Sequence, residues 1–237
     1  MFRREAASRI ICRDGISDVC ASDLGYETLC YALHDQPDLV QAIADKLIEI
    51  YSVCLERSLA YERVKAVWSS DDMGFKTGLL ISPADTRRYI LPGHKRLAAM
   101  AHRADCPYLL HACGRIDDII DDLVDDVGID GKHSFEDTIE DVRQVIHTYG
   151  RRLSLLGGID VDFLCRSEPE AIRRRVRHTL DLCLPSGGYC LGTGNSLADY
   201  IPLDPYLATV AERMLHGRCI TPPGSTPPDT ATRYALC

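Results

Sequence analysis

The stretch that decides the fold is Tyr108-Leu109-Leu110-His111-Ala112-Cys113-Gly114, a short apolar run that passes directly into polar residues. The run is too short for a typical helix, and apolar and polar residues do not alternate along it. Continuous apolar runs of this length are typical of strands that are buried on both faces of a parallel sheet. We therefore predict a buried strand at 108–111 with a polar loop after it.

The same pattern recurs between about Gly25 and Gly217. Comparable runs predict strands at 64–68, 129–133, 153–157 and 188–191. Helical periodicity predicts helices at 37–60, 82–104, 116–127, 136–149, 168–182 and 204–216. Strands that alternate with helices are typical of an α/β fold with a parallel sheet. A closed (β/α)₈ barrel needs about eight strands, so the strand count alone leaves an open, doubly wound sheet as the alternative.

The two ends of the chain differ from its middle. Residues 1–24 show neither helical nor strand periodicity, and residues 13–24 resemble the translation of a sequencing adapter. We expect a non-native, unstructured leader there, with the native chain beginning near Gly25. Residues 218–237 include a tract rich in Pro, Gly, Ser and Thr, which predicts a disordered tail.

The composition favours small-molecule chemistry. The formal net charge is −8 at pH 7, whereas proteins that bind nucleic acids or anionic membranes need clustered Lys and Arg. No apolar run approaches the ~20 residues that span a bilayer, and the beginning of the chain lacks the layout of a signal peptide. The 11 cysteines are odd in number and irregularly spaced, which is typical of buried thiols in a reducing compartment. We expect a cytoplasmic protein.

Polar residues follow each predicted strand, where the loops of a parallel barrel surround the active site. His111 and Cys113 are two residues apart, so their side chains point to the same side of an extended chain, and both are good Zn²⁺ ligands. The alternative is that His111 and Cys113 are ordinary core residues, since a His and a Cys at this spacing also occur in cores without a metal. Cys190 is the third-ligand candidate, with a small buried apolar residue as the alternative, and Glu136 is a second candidate, with helix capping as the alternative.

Other residues in these loops are candidates for catalysis or substrate binding. Asp71 and Asp72 follow the strand at 64–68, so we expect a catalytic role for at least one of them, with loop solvation or helix capping as the alternative. His133 is predicted to be a general acid or base or a substrate hydrogen-bond donor, with a core histidine as the alternative. Asp160 is expected to bind substrate or to cap the next segment.

Taken together, these motifs resemble the uroporphyrinogen decarboxylase superfamily. The residues that carry the resemblance are Asp71-Asp72-Met73-Gly74-Phe75-Lys76, Leu91-Pro92 with His94-Lys95, residues 108–114, residues 128–136, Gly157-Gly158-Ile159-Asp160, and Gly187-Gly188-Tyr189 with Gly192-Thr193-Gly194-Asn195-Ser196. The resemblance implies an α/β fold of the (β/α)₈ TIM-barrel type. Residues 25–217 would form its C-terminal part, with about five βα units and the N-terminal strands missing.

The resemblance implies two activities. In the zinc-dependent methyltransferases, His111 and Cys113 correspond to the first two zinc ligands, and a corrinoid protein donates a methyl group to a thiol. The third ligand of that branch is a Cys in a Gly-Cys-Gly loop, where Asn195 stands here. The cofactor-free decarboxylase of haem and porphyrin biosynthesis, which acts on a tetrapyrrole, has a His in the same loop.

We expect the methyltransferase, with the decarboxylase as the alternative and an inactive barrel fragment as the second alternative. Glu136 and Asn195 join Asp160 as expected substrate-binding residues. The expected partners are a small-molecule substrate and a corrinoid protein, without nucleic acid or membrane. A homo-oligomer is left open.

Overall fold

The structure is a computed structural model, and it describes residues 9–14 and 24–216. The predicted leader and tail therefore lie largely outside the described residues. The chain divides into two compact units, residues 1–131 and residues 132–237.

The first unit contains parallel strands that alternate with helices. Its elements are β1 (Arg9–Asp14), α1 (Tyr26–Asp35), α2 (Pro37–Leu59), β2 (Val64–Ser70), a helical turn (Pro83–Asp85) that continues as a π-helical segment (Thr86–Ile90) and as α3 (Leu91–Arg103), β3 (Tyr108–His111), and a second π-helical segment (Asp122–Val127). Strand β2 lies between β1 and β3 and runs parallel to both. Ser70 pairs with His111 in this register, so the loops that follow β2 and β3 begin side by side.

Local sequence explains where the helices of the first unit begin. Pro37 lies in the first turn of α2, where its missing N–H costs no helical hydrogen bond. Ser82 caps the turn that leads towards α3, and its hydroxyl oxygen accepts a hydrogen bond from the backbone N–H of Asp85. Both helix starts agree with the sequence-based prediction. Helix α2 then packs its buried face, which includes Val40, Ala44 and Ile48, into the core.

The second unit repeats the arrangement. Strand β4 (Gly131–His133) lies at the division between the units, and it is followed by α4 (Val142–Tyr149), β5 (Ser154–Ile159), α5 (Val161–Arg166), α6 (Pro169–Cys183), a 3₁₀ turn (Leu184–Ser186), β6 (Tyr189–Thr193) and α7 (Leu203–His216). Strands β5 and β6 are parallel. An apolar cluster joins β5, α5, α6 and α7, comprising Ile159, Leu164, Ile172, Val176, Leu180 and Ala208. Burying each large aliphatic side chain contributes about 1.5–3 kcal/mol, so this cluster stabilises the unit.

The five predicted strands are all present, and the prediction for β3 matches at both ends. The prediction that residues 1–24 contain no strand is wrong for β1, because the short run Ile10-Ile11-Cys12 pairs with β2. Only three apolar residues stand in a row within this six-residue strand, which is too short a run to indicate a strand by its pattern. Helices α1 and α5 were not predicted, and α4 begins at Val142 rather than at residue 136.

Two sequence-based expectations concern membranes and cysteines. Among the described helices, none combines the length and the apolar character that crossing a bilayer requires. The described cysteines are thiols rather than disulfides, as expected. They are less buried than expected, because only Cys106 and Cys183 are fully buried and Cys30 is exposed.

Candidate functional site

The loops after β2 and β3 cross each other in the first unit. A Cβ atom on Gly74 would lie 2.7 Å from the carbonyl oxygen of Arg115, and one on Gly114 would lie 2.0 Å from the carbonyl oxygen of Gly74. Only glycine permits so close an approach of two backbones. The backbone N–H of Arg115 also donates a hydrogen bond to the carbonyl oxygen of Phe75 at 2.7 Å. The crossing therefore fixes the two loops against each other.

This crossing brings together Asp72, His111 and Cys113. Each offers one potential ligand atom, and these atoms all lie within 4.8 Å of one another. The Nε2 atom of His111 lies 3.2 Å from the sulfur of Cys113 and 3.6 Å from Oδ1 of Asp72. The backbone N–H of Cys113 donates a hydrogen bond to the same Oδ1 at 3.0 Å. The cluster is thus tied together by both side-chain and backbone contacts.

The donor set of this cluster fits Zn²⁺. Imidazole nitrogen, thiolate sulfur and carboxylate oxygen are the three ligand types that zinc takes in proteins, and catalytic zinc sites have three protein ligands and one open position. His111 is buried, whereas Asp72 and Cys113 are partly exposed. A ligand from solvent can therefore reach the open side. The sequence predicts His111 and Cys113 as metal ligands and Asp72 as a catalytic residue; these roles stay predictions, and the structure places all three side chains in one cluster.

Asp71 points in the opposite direction to Asp72. Its carboxylate is fully buried and lies 2.8 Å from Nε2 of His94, whose Nδ1 lies 2.8 Å from the hydroxyl of Tyr108. Burial raises the pKa of Tyr108, so its hydroxyl remains protonated and able to donate. The catalytic role predicted for Asp71 stays a prediction, and its surroundings are those of a group that orients its neighbours. Sequence reasoning gave His94 no role.

The second unit collects the remaining predicted residues in the loops after β4, β5 and β6. The Nε2 atom of His133 lies 3.0 Å from the carbonyl oxygen of Thr193, and the side-chain amide of Asn195 donates to Glu136 at 3.0 Å. A Cβ on Gly157 would meet both the His133 ring and the backbone of Thr193, so glycine is needed for this contact. Glu136 thus pairs with Asn195 rather than capping a helix.

Asp160 has a structural role that agrees with its capping alternative. Its carboxylate accepts a hydrogen bond from the backbone N–H of Phe163 at 3.0 Å, which caps α5, and another from the N–H of Asp137 at 2.9 Å. Both oxygens are therefore engaged with backbone donors. Its role in substrate binding stays a prediction.

Cys190 lies on β6 and belongs to the second unit. Burial raises the pKa of its thiol, and a raised pKa disfavours the thiolate form that a metal ligand needs. The group of ligand atoms found in the first unit contains Asp72 and not Cys190. The role of Cys190 as a third ligand stays a prediction.

Lys132 was not singled out by the sequence analysis, although it lies next to His133. Its ammonium group is buried, donates to the carbonyl oxygen of Ser134 at 2.8 Å and pairs with Glu140 at 2.9 Å. It also lies 4.2 Å from the centre of the Phe135 ring. A buried Lys needs partners of this kind, so Lys132 fixes the end of β4, where His133 lies, to the segment that follows it.

Comparisons with known proteins agree with the motifs. The model of the uroporphyrinogen decarboxylase (URO-D) family matches residues 17–213. A methylated-thiol–coenzyme M methyltransferase of Methanosarcina mazei is 33% identical over 127 residues, which are 53% of this chain and 31% of that protein. The match thus spans about a third of the length of this relative.

A solved structure shows the fold. A methyltransferase from Methanosarcina mazei superposes with a TM-score of 0.71 at 20% sequence identity, over 87% of this chain and 58% of that chain. The likeness and the parallel strands confirm the predicted α/β class, in which the chain corresponds to part of a (β/α)₈ TIM barrel.

Proposed function

Because the chain belongs to the uroporphyrinogen decarboxylase family, we propose that it works as a zinc-thiolate methyltransferase that transfers a methyl group from a corrinoid protein to a small thiol. The observation that carries the proposal is the cluster of Asp72, His111 and Cys113. The methylated-thiol–coenzyme M methyltransferase among its relatives supports the same reaction class.

In this proposal the Nε2 atom of His111, the sulfur of Cys113 and an oxygen of Asp72 hold Zn²⁺. Bound zinc lowers the pKa of a substrate thiol, so that the thiolate forms near neutral pH. The N–H of Cys113 keeps the Asp72 carboxylate turned towards the cluster. Because His111 is buried, water has little access to that side of the metal site. The partly exposed carboxylate of Asp72 lies on the side that the substrate can reach.

The chemical step is a methyl transfer between two nucleophiles. The thiol first loses its proton to solvent, and its sulfur then forms a bond to the methyl carbon. The carbon–cobalt bond of the corrinoid breaks, and its electron pair stays on the cobalt. We propose that Glu136, Asp160 and Asn195, in the loops after β4, β5 and β6, bind substrate groups. We propose that His133, at the end of β4, acts as a general acid or base or as a hydrogen-bond donor to the substrate. The expected cytoplasmic location belongs to the same proposal.

Zinc analysis and a methyl-transfer assay on the full chain test the proposal. The chain should bind about one zinc per molecule and should demethylate methylcobalamin in the presence of coenzyme M as the test thiol. His111→Ala and Cys113→Ala should lose both the metal and the activity. His102→Ala is the matched control, because His102 pairs with Asp130 at 2.8 Å in the same unit and lies outside the cluster. A metal-free chain whose His111→Ala variant keeps full activity would refute the proposal.

Decarboxylation of uroporphyrinogen is the second candidate, favoured by the family model that matches the chain. Asn195 does not discriminate between the two, because it replaces both the Cys of the methyltransferases and the His of the decarboxylase. This reaction needs no metal. Turnover of uroporphyrinogen by metal-free protein would favour it over methyl transfer, and an absence of turnover would count against it.

A further inference from the structure

A buried series of three contacting polar side chains lies directly behind the candidate metal site. It consists of Tyr108 on β3, His94 on α3 and Asp71 in the loop after β2, and all three side chains are at most 1% exposed. A buried carboxylate is costly unless it is hydrogen-bonded or paired. The contact between Asp71 and His94 at 2.8 Å meets this need. Both ring nitrogens of His94 therefore have a partner, because the hydroxyl of Tyr108 lies 2.8 Å from its other nitrogen.

A backbone hydrogen bond connects this series of side chains to the metal site. The N–H of Asp71 donates a hydrogen bond to the carbonyl oxygen of His111 at 2.9 Å, so Asp71 is held at its backbone by one proposed ligand. Its neighbour Asp72 is a second proposed ligand. Burial alternates along this segment, with Ser69, Asp71 and Met73 buried and the residues between them partly exposed. Fixing the Asp71 side chain inward therefore turns Asp72 outward, towards His111 and Cys113.

Helix α3 contacts Asp71 through the His94 side chain. We propose that His94 is a positioning residue, which holds Asp71 inward and thereby sets Asp72 in the geometry that binds the metal. This inference rests on the proposed function, because it concerns the same zinc site. Groups that orient metal ligands in this way change metal affinity by ~10–100-fold when they are removed.

A pair of substitutions separates the two contacts of His94. His94→Gln places its amide nitrogen near the position of Nε2, so it can still donate to Asp71. His94→Asn reaches only the position of Nδ1, so it keeps the Tyr108 contact and loses the Asp71 contact. Both side chains are polar amides and both replace the same ring. Leu97→Ala, at a buried apolar position of the same helix, controls for lost stability.

Zinc affinity is measured on the full chain by competition with a chromophoric chelator. The geometry of the metal ligands is followed by the visible spectrum of the Co²⁺-loaded chain. We expect His94→Asn to weaken zinc binding by ~10–100-fold and to change the Co²⁺ spectrum. His94→Gln should bind more tightly than His94→Asn, and Leu97→Ala should bind as the wild type does.

The outcomes separate this inference from the proposed function. Equal zinc affinities for His94→Asn, His94→Gln and the wild type would overturn the positioning role while leaving the zinc site intact. A loss of affinity in Leu97→Ala as large as that in His94→Asn would also overturn it, because general loss of stability would then explain the effect. A wild-type chain that binds no zinc would overturn both proposals.

Discussion

The crossing of the two loops at Gly114 predicts a large and specific effect of a single methyl group. Gly114 has a φ of 78°, a left-handed conformation that costs an L-residue about 1–2 kcal/mol. The Cβ atom of Gly114→Ala would also lie 2.0 Å from the carbonyl oxygen of Gly74. Because that oxygen belongs to the backbone, the loops themselves must move apart, and such overpacking costs about 1–3 kcal/mol.

The sum predicts that Gly114→Ala lowers the free energy of unfolding by about 2–5 kcal/mol. Gly128→Ala provides a matched control in the same unit. Gly128 has a φ of 79°, but its added Cβ would find its nearest neighbour at an ordinary 3.8 Å, at Cε1 of His102. Its cost is therefore limited to the backbone contribution of about 1–2 kcal/mol.

Urea denaturation followed by a zinc titration of each variant tests this reasoning. Gly114→Ala should be less stable than Gly128→Ala by about 1–3 kcal/mol, and it alone should lose zinc affinity, because separation of the loops moves Asp72 away from His111. Equal stability of the two variants, or unchanged zinc binding in Gly114→Ala, would refute the structural role of the crossing.

Two further predictions concern buried groups in the second unit. Lys132→Met should lower the free energy of unfolding by about 3–5 kcal/mol, because it leaves Glu140 without its partner at 2.9 Å. The double variant Lys132→Met/Glu140→Leu should recover part of this free energy in a denaturation experiment. A double variant that recovers none of it would contradict the pairing. Burial, reinforced by the nearby charge of Asp141, raises the pKa of the Cys183 thiol from its usual value of 9.0 to about 12. The folded state keeps this proton when the unfolded state has lost it, so stability should fall as the pH rises from about 9 towards 12. In thermal melts across this pH range, the melting temperature of Cys183→Ala should fall less steeply with pH than that of the wild type. Identical slopes for the two proteins would contradict the raised pKa of Cys183.

Strand β3 was predictable because it is buried on both faces, and a continuous apolar run such as Tyr108–His111 is visible in the sequence. The segment at 116–127 shows the limit of the same approach. Its apolar residues follow a helical period, yet the structure has turns at 117–119, α-helical geometry only at 120–121 and a π-helical segment from Asp122 to Val127. Repeated acidic residues at a spacing of four repel each other and weaken a regular helix.

The candidate site was predictable in part for a related reason. The spacing of His111 and Cys113 at the end of β3 is visible in the sequence, whereas the addition of Asp72 depends on which side of the chain it faces. Adjacent residues of an extended segment point to opposite sides, so either Asp71 or Asp72 fits the sequence equally well. The buried position of His94 beside Leu97, Ala98 and Ala101 on one helical face was a usable signal for a polar group with a buried partner. The partner itself is 23 residues away and is set by tertiary contacts.

X-ray absorption at the zinc edge of the zinc-loaded chain tests the proposed ligand set most directly. If Asp72, His111 and Cys113 bind the metal, the spectrum should show a single sulfur ligand at ~2.3 Å with nitrogen and oxygen ligands at ~2.0–2.2 Å, and Cys113→Ser should remove the sulfur. Two sulfur ligands in the metal-loaded chain without added thiol, or a sulfur that persists in Cys113→Ser, would contradict this site and would point to Cys190 instead.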